Sequence, residues 1–279
     1  MEHQKLEHQK RRNSPAKREE LDHALIAGVG DWVRPLLEDL LADPELDALQ
    51  NAANHVAVVR LGYNDHGPIH MRIATLHALT ILALLHDAGV PPSLVREQKG
   101  TYLDAQFAVA VAGLIHDVGM AVTRDRHEWH SLHLGRDLII RYIARAYPDS
   151  LFKQMLVRAL IHETVIGHMG YDKVHSIEAG TLLVGDGTDM TRGRAKRAKE
   201  LSMHPVLGDM HRHSADAITS VEIRKGDALP AHISVQMNDY AGIFQVEEVL
   251  IPKISVSPLR AHMEVAVVVG KDAPRRYLG

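Results

Sequence analysis

The chain has 279 residues, of which 46% are hydrophobic and 4% aromatic, so a core of Leu, Val, Ile and Ala is expected and a disordered chain is excluded. Its 32 basic and 35 acidic residues leave a formal charge of -3, which gives no global attraction to nucleic acid or to an anionic membrane. The absence of cysteine excludes disulfides, thiol catalysis and cysteine metal sites, and fits a reducing cytoplasm.

Residues 1–19 repeat Glu-His-Gln-Lys at 2–5 and 7–10, turn basic at Lys10-Arg11-Arg12, and read as a flexible tail. No secretory leader is expected from the opening Met1-Glu2-His3-Gln4-Lys5. Residues 20–210 carry helical periodicity. Val33, Leu36, Leu37, Leu40 and Leu41 recur at steps of three and four. Leu76 to Leu85, Phe107 to Ile115, Leu138 to Ala146 and Leu151 to Val165 read as buried helices, with a stop at Gly89-Val90-Pro91-Pro92. A further helix starts near Ser176 or Glu178 and carries Asp186. The most apolar stretch, Ile73 to Leu85, carries His77 and falls short of the roughly 20 residues that span a bilayer, so a soluble cytoplasmic protein is expected.

The pattern changes after His213. Alternation over Ser220 to Arg224 and Ala231 to Met237, joined through Lys225-Gly226-Asp227, predicts a hairpin. Tyr240 to Ile254 reads as an amphipathic helix and His262 to Val269 as a strand. The expectation is a mainly α protein: a helical bundle followed by a small β-β-α-β module over 215–279. That module would pack on the bundle or build a homodimer.

Twenty histidines is a high count, and several lie inside apolar helices. Imidazole nitrogens and carboxylate oxygens from successive apolar helices are what a buried site for divalent transition metals requires. His70 follows Asn64-Asp65-His66-Gly67-Pro68-Ile69, and His66 shares its face if the turn is helical. His116 and Asp117 close an apolar helix; the two oxygens of Asp117 can bind separate metals. His86-Asp87 looks similar but runs into the Gly-Val-Pro-Pro stop, and reads as a polar helix end. His127, His130 and His133 lie on one stripe, and not all can coordinate. His162 and His168 are six apart, so one of the two is expected to coordinate. Asp186 and Asp189 end the series. Arg124, Arg126, Arg192 and Arg194 are the candidate phosphate-binding cations, with a solvated basic face as the ordinary alternative.

The order His, His-Asp, His, His, Asp resembles the HD superfamily of metal-dependent phosphohydrolases over roughly residues 55 to 200. Arg60 to His70, Asp186 to Arg194 and Tyr240 to Gln245 look like a group of predicted HD hydrolases of archaea and bacteria. The resemblance implies an HD-domain helical bundle and a ligand set of His70, His116, Asp117, His127, His168 and Asp186. His66, His130 and His162 stand as alternatives. It favours His127 through the small Ser131 four residues on, and His168 through its place at a helix end. It assigns Asp189 to orienting a ligand or an arginine. The Gly-Tyr-Pro signature of cyclic-di-GMP phosphodiesterases is absent, and Gly185 and Gly187 flank Asp186, where they are expected to loosen the helix.

The implied activity is hydrolysis of a phosphomonoester or phosphodiester, of a nucleotide, with Asp117, His116, Arg124 and Arg194 as catalytic residues. One to three divalent ions are implied, Mn, Fe, Co, Ni or Zn rather than Mg alone. The partners expected are the phosphorylated substrate and a second copy, not nucleic acid or membrane. Two other readings are a metal-retaining nucleotide sensor or scaffold and a di-iron oxygenase on the same fold.

Overall fold

The computed structural model describes residues 15–191, Arg194 and 210–279. Pro15–Ala27 is a helix (α1), so the expected tail is ordered from residue 15 onward; the rest of it lies outside the described residues. Leu21 and Leu25, one turn apart, anchor α1 in the core. Val33–Leu41 (α2) and Pro44–His55 (α3) follow. Asp43 caps α3 by accepting from the Glu45 amide at 2.9 Å, and Pro44 stands at the first helical position, where its missing N–H costs nothing. The last turns of α3 widen into a π segment, Val56–Arg60.

Pro68–Asp87 (α4) and Tyr102–Ile115 (α5) form the centre of the bundle. A capping box between Thr101 and Asp104 starts α5. The stretches Pro68–Asp87 and Tyr102–Ala121 are each long and apolar enough to cross a membrane, which corrects the sequence expectation. Their most apolar windows are 61% and 94% buried inside the protein, the position of core helices. His127–Leu134 (α6), Arg136–Ala146 (α7), Leu151–Gly167 (α8) and Ile177–Thr188 (α9) complete the bundle around them. Ser150 and Ser176 cap α8 and α9.

A fully buried guanidinium ties the first half together. Arg72 on α4 donates to Asp22 of α1 at 2.6 Å and to Gln50 of α3 at 2.9 Å. Gln50 in turn donates to the Leu114 carbonyl at 2.7 Å, two residues before His116. The chain of bonds fixes α1, α3 and α4 against the end of α5.

After Met210–Ala217 (α10), the chain forms a four-stranded sheet in the order β1-β2-β3-β4. Its strands are Ile218–Lys225 (β1), Ala231–Met237 (β2), Met263–Val269 (β3) and Arg275–Leu278 (β4). β1 and β2 form the expected antiparallel hairpin, β2 and β3 are parallel, and β4 pairs antiparallel with β3. The parallel pair needs a crossover, and residues 240–262 supply it. The amphipathic stretch there is helical but uneven: a 3-10 turn, a π segment at Val246–Leu250, then Ile251–Val256 (α11). β4 was not expected; its four residues are mostly polar or exposed and lack an alternating pattern. One apolar core runs from Leu25 through Leu82 and Leu114 to Ile233 and Val265, so the sheet and bundle share it.

Candidate metal centre

Five helices converge on one buried point. His70 lies in the first turn of α4, which Pro68 opens, and is fully buried. His116 caps α5 and Asp117 begins the 3-10 turn after it. His127 opens α6, His168 caps α8, and Asp186 lies in the last turn of α9. Each is buried.

Close helix approach brings them together. At Gly119, just after Asp117, an added Cβ would lie 1.9 Å from the His127 carbonyl oxygen. Ser131 uses the same contact: it accepts from the Gly119 amide at 2.8 Å and donates to the His116 carbonyl at 2.6 Å. At Gly185 an added Cβ would meet the backbone of α4 at Ala78 and Ala74, at 2.8 and 2.9 Å. Gly185 therefore seats α9 on α4 and does not loosen it. Gly187 leaves room for the stem of Lys253, whose Cδ would be 3.0 Å from an added Cβ.

Asp117 stands between two sets of imidazoles. Its Oδ2 is 3.1 Å from His70 Nε2 and 3.5 Å from His116 Nε2. Its Oδ1 is 3.0 Å from His127 Nε2 and 3.4 Å from His168 Nε2. Asp186 Oδ1 joins the first set, 3.1 Å from His70 and 3.8 Å from His116. Ligand atoms of His70, His116 and Asp186 lie within 4.8 Å of one another, as do those of His116, Asp117 and His168. These buried His/Asp groups are compatible with metal binding.

Hydrogen bonding leaves the inward nitrogens as acceptors. The Nδ1 atoms of His116, His127 and His168 face the carbonyl oxygens of Gly113, Arg124 and Val165 at 2.7, 2.9 and 2.6 Å. A carbonyl only accepts, so each ring carries a proton on Nδ1 and a neutral ring offers its Nε2 lone pair to the centre. His70 Nδ1 is held by Asp189 at 2.9 Å. The Nε2 atoms of His127 and His168 lie 3.1 Å apart, so two lone pairs meet unless a cation lies between them. His116 Nε2 and Asp117 Oδ2 are buried without a hydrogen-bond partner. Each such orphan costs about 1–3 kcal/mol. A divalent cation coordinated by these atoms removes that cost, so the donor set fits a metal.

The electrostatics agree. Burial and Arg194 press the His70 ring toward neutrality, but Asp117, Asp186 and Asp189 hold its pKa up at about 10. Burial opposes charge on Asp117 and Asp186, yet neighbouring imidazoles, and for Asp186 first Lys253, keep both well below the usual carboxylate range. His168 is pushed down to about 4 by burial, against the pull of Asp117. Two charged carboxylates in a buried pocket favour positive charge between them.

The remaining sequence candidates fall elsewhere. His66 is buried beside His70, with ring centroids 5.9 Å apart, but the residues before α4 are not helical and its Nδ1 turns to the Asn64 carbonyl at 2.6 Å. Burial holds its pKa well below the ordinary value. His130 is half-buried, three residues or about 4.5 Å further along α6 than His127, which faces Asp117. His162 is outside both groups, six residues and so about 240° around α8 from His168. His133 is exposed. His86 and Asp87 are exposed at the end of α4, with His86 stacked on Tyr102 at 4.0 Å.

Among the arginines, Arg194 reaches the centre. It donates to the carbonyls of Asp65 and Asp189 at 3.1 and 3.2 Å, and its Nη2 lies 3.1 Å from His70 Nε2. Arg124 lies at the rim, over the Tyr63 ring at 5.7 Å and 3.9 Å from the Met169 sulfur. Arg126 points out, 64% exposed and 3.5 Å from Asp172. Arg192 lies outside the described residues.

Two residues at the centre were not anticipated. Glu128, beside His127, is buried with neither carboxylate oxygen hydrogen-bonded. Lys253 comes from α11, in the C-terminal part, and its ammonium donates to Asp186 Oδ2 and the His168 carbonyl. Glu128 adjoins a candidate ligand, and that adjacency was a usable signal. Lys253 is one lysine in an amphipathic stretch, and nothing in its neighbours sets it apart.

Among known proteins, the chain is 35% identical over 241 residues to the uncharacterized protein MJ1020 of Methanocaldococcus jannaschii, covering 86% of this chain and 90% of that one. No family model matches, and no solved structure matches significantly.

Proposed function

We propose that this chain, which belongs to the same family as that archaeal protein, is a metal-dependent phosphohydrolase of the HD type, acting on a phosphomonoester or phosphodiester of a nucleotide. The observation that carries the reading is Asp117, whose two oxygens face two different sets of imidazole nitrogens. His70, His116, Asp117 and Asp186 would hold one ion; Asp117, His127 and His168 would hold another. Bound there, a divalent metal makes water nucleophilic near neutral pH and polarises a phosphoryl oxygen. An imidazole-rich set favours Mn, Fe, Co, Ni or Zn over Mg.

The chain's own residues do the rest. Asp189 orients His70, and three backbone carbonyls orient the other rings, so the ligands do not reorganise on binding. Arg194 is tethered beside the centre, its Nε and Nη1 donating to two carbonyls, which holds Nη2 next to His70, where it can meet a phosphoryl oxygen. Arg124 has only a ring face and a sulfur as partners among the described groups, so its donors too can turn to phosphate. Burial of the ligands excludes bulk water and strengthens each of these charge interactions.

Elemental analysis of the purified protein, paired with a Mn-supplemented screen of phosphoesters, tests the reading. One to three equivalents of a transition metal with chelator-sensitive phosphate release is the expected result. Metal without phosphate release against any substrate removes the hydrolase and leaves the centre; no metal after reconstitution removes both.

A further inference from the structure

We propose that Lys253 is a positioning residue of the metal centre, so that the C-terminal part of the chain completes a site whose candidate ligands all come from the helical bundle. The inference rests on the metal reading above. Three observations converge on it. The Lys253 ammonium donates to Asp186 Oδ2, the oxygen turned away from His70 and His116, while Oδ1 faces them at 3.1 and 3.8 Å. The same ammonium donates to the His168 carbonyl at 2.8 Å. Its stem crosses α9 at Gly187, where the absent side chain leaves the passage.

The consequence is chemical. A carboxylate with both oxygens available can swing between one-point and two-point coordination. Lys253 occupies one oxygen of Asp186 and leaves the other to the ion. Through the His168 carbonyl it also holds the end of α8, which carries a ligand of the second set. One cation therefore fixes the relative position of both. A lysine this deep, with its side chain 12% exposed, is costly unless its charge is matched, and Asp186 matches it. The seat of α11 is built for the approach: Leu250 and Ile254 are fully buried, and Gly180 of α9 packs against Ser257, Pro258 and Leu259.

The test is titration of Mn2+ into metal-free wild type and Lys253→Met, with free ion counted by electron paramagnetic resonance. Groups that orient a ligand are worth about 10–100-fold in metal affinity. Lys253→Met is expected to weaken Mn2+ binding by that factor, most at the ion that Asp186 would hold, and Lys253→Arg to restore most of the loss. Unchanged or tightened binding in folded Lys253→Met overturns the inference, since a lysine that only anchors α11 would not change affinity. Should Lys253→Met fail to fold, Lys253→Gln keeps a polar tip without the charge; weakened Mn2+ binding supports the inference and wild-type binding overturns it. A wild type that binds no Mn2+ fails the metal reading itself, which is a separate outcome.

Discussion

Every imidazole of the centre is gripped at Nδ1 before any ion arrives, three by backbone carbonyls and His70 by Asp189. The inward face is thereby preset. His116→Ala or Asp117→Ala should abolish metal retention, measured by elemental analysis, because Asp117 faces both sets of imidazoles and His116 lies in both groups of close ligand atoms. His86→Ala should leave metal content unchanged, since that ring is exposed and stacked on Tyr102; loss of metal there would move the centre to the other His-Asp pair. A second residue-scale expectation concerns Glu264 on β3. It accepts from His232 at 3.0 Å and from the amides of Asp227, Ala228 and Leu229, closing the β1–β2 turn. His232 chiefly, with those amides, holds its pKa down at about 2, against burial. A depressed carboxylate contributes stability above its ordinary pKa of about 4.5 and loses it as pH falls toward 2. The melting-temperature gap between wild type and Glu264→Gln should therefore be widest above pH 4.5 and close on acidification.

At the scale of elements, the centre is a product of helix contacts made through glycine. Gly119→Ala drives a Cβ into the backbone of α6, and Gly185→Ala into that of α4. Neither backbone can yield without moving a ligand. Each substitution should cost about 3 kcal/mol or more by denaturant unfolding, at the upper end of overpacking penalties, and reduce bound metal in whatever remains folded. Substitution at Gly89, which has φ +80 and nothing within 4 Å, should strain only its own turn and spare metal. The contrast shows where a linear reading stops. The helices were legible because apolar residues recur at the helical period, and the helix that carries Asp186, expected to start near Ser176 or Glu178, starts at Ile177. The glycines beside Asp186 read as weak points because their partners, α4 for Gly185 and Lys253 for Gly187, lie more than sixty residues away in the chain. The stretch from Tyr240 to Ile254 was legible as helix, but its π segment was not, since amphipathicity does not distinguish a widened turn.

Over the whole molecule, His70, the His116-Asp117 pair, His127, His168 and Asp186 were legible as candidates because each stands at a helix end or in a first or last turn. The resemblance preferred His127 over His130 and His168 over His162, and the fold places His127 and His168 beside Asp117; Lys253 joins them through packing between distant segments. The core is one body, shared by bundle and sheet, so the centre is coupled to the stability of all of it. A ligand at one hundred times its dissociation constant stabilises the folded state by about 2.7 kcal/mol. Chelation should accordingly lower the melting temperature, and restored Mn2+ should recover it; identical melting curves would mean that no ion is held. Because the ligands are scattered from α4 to α9, the unfolded chain offers an ion no comparable grip. In a living cell that asymmetry would act on lifetime. Unfolded chains are what proteases remove, so a shortage of metal would thin out the protein itself, and its abundance would follow the supply of the ion.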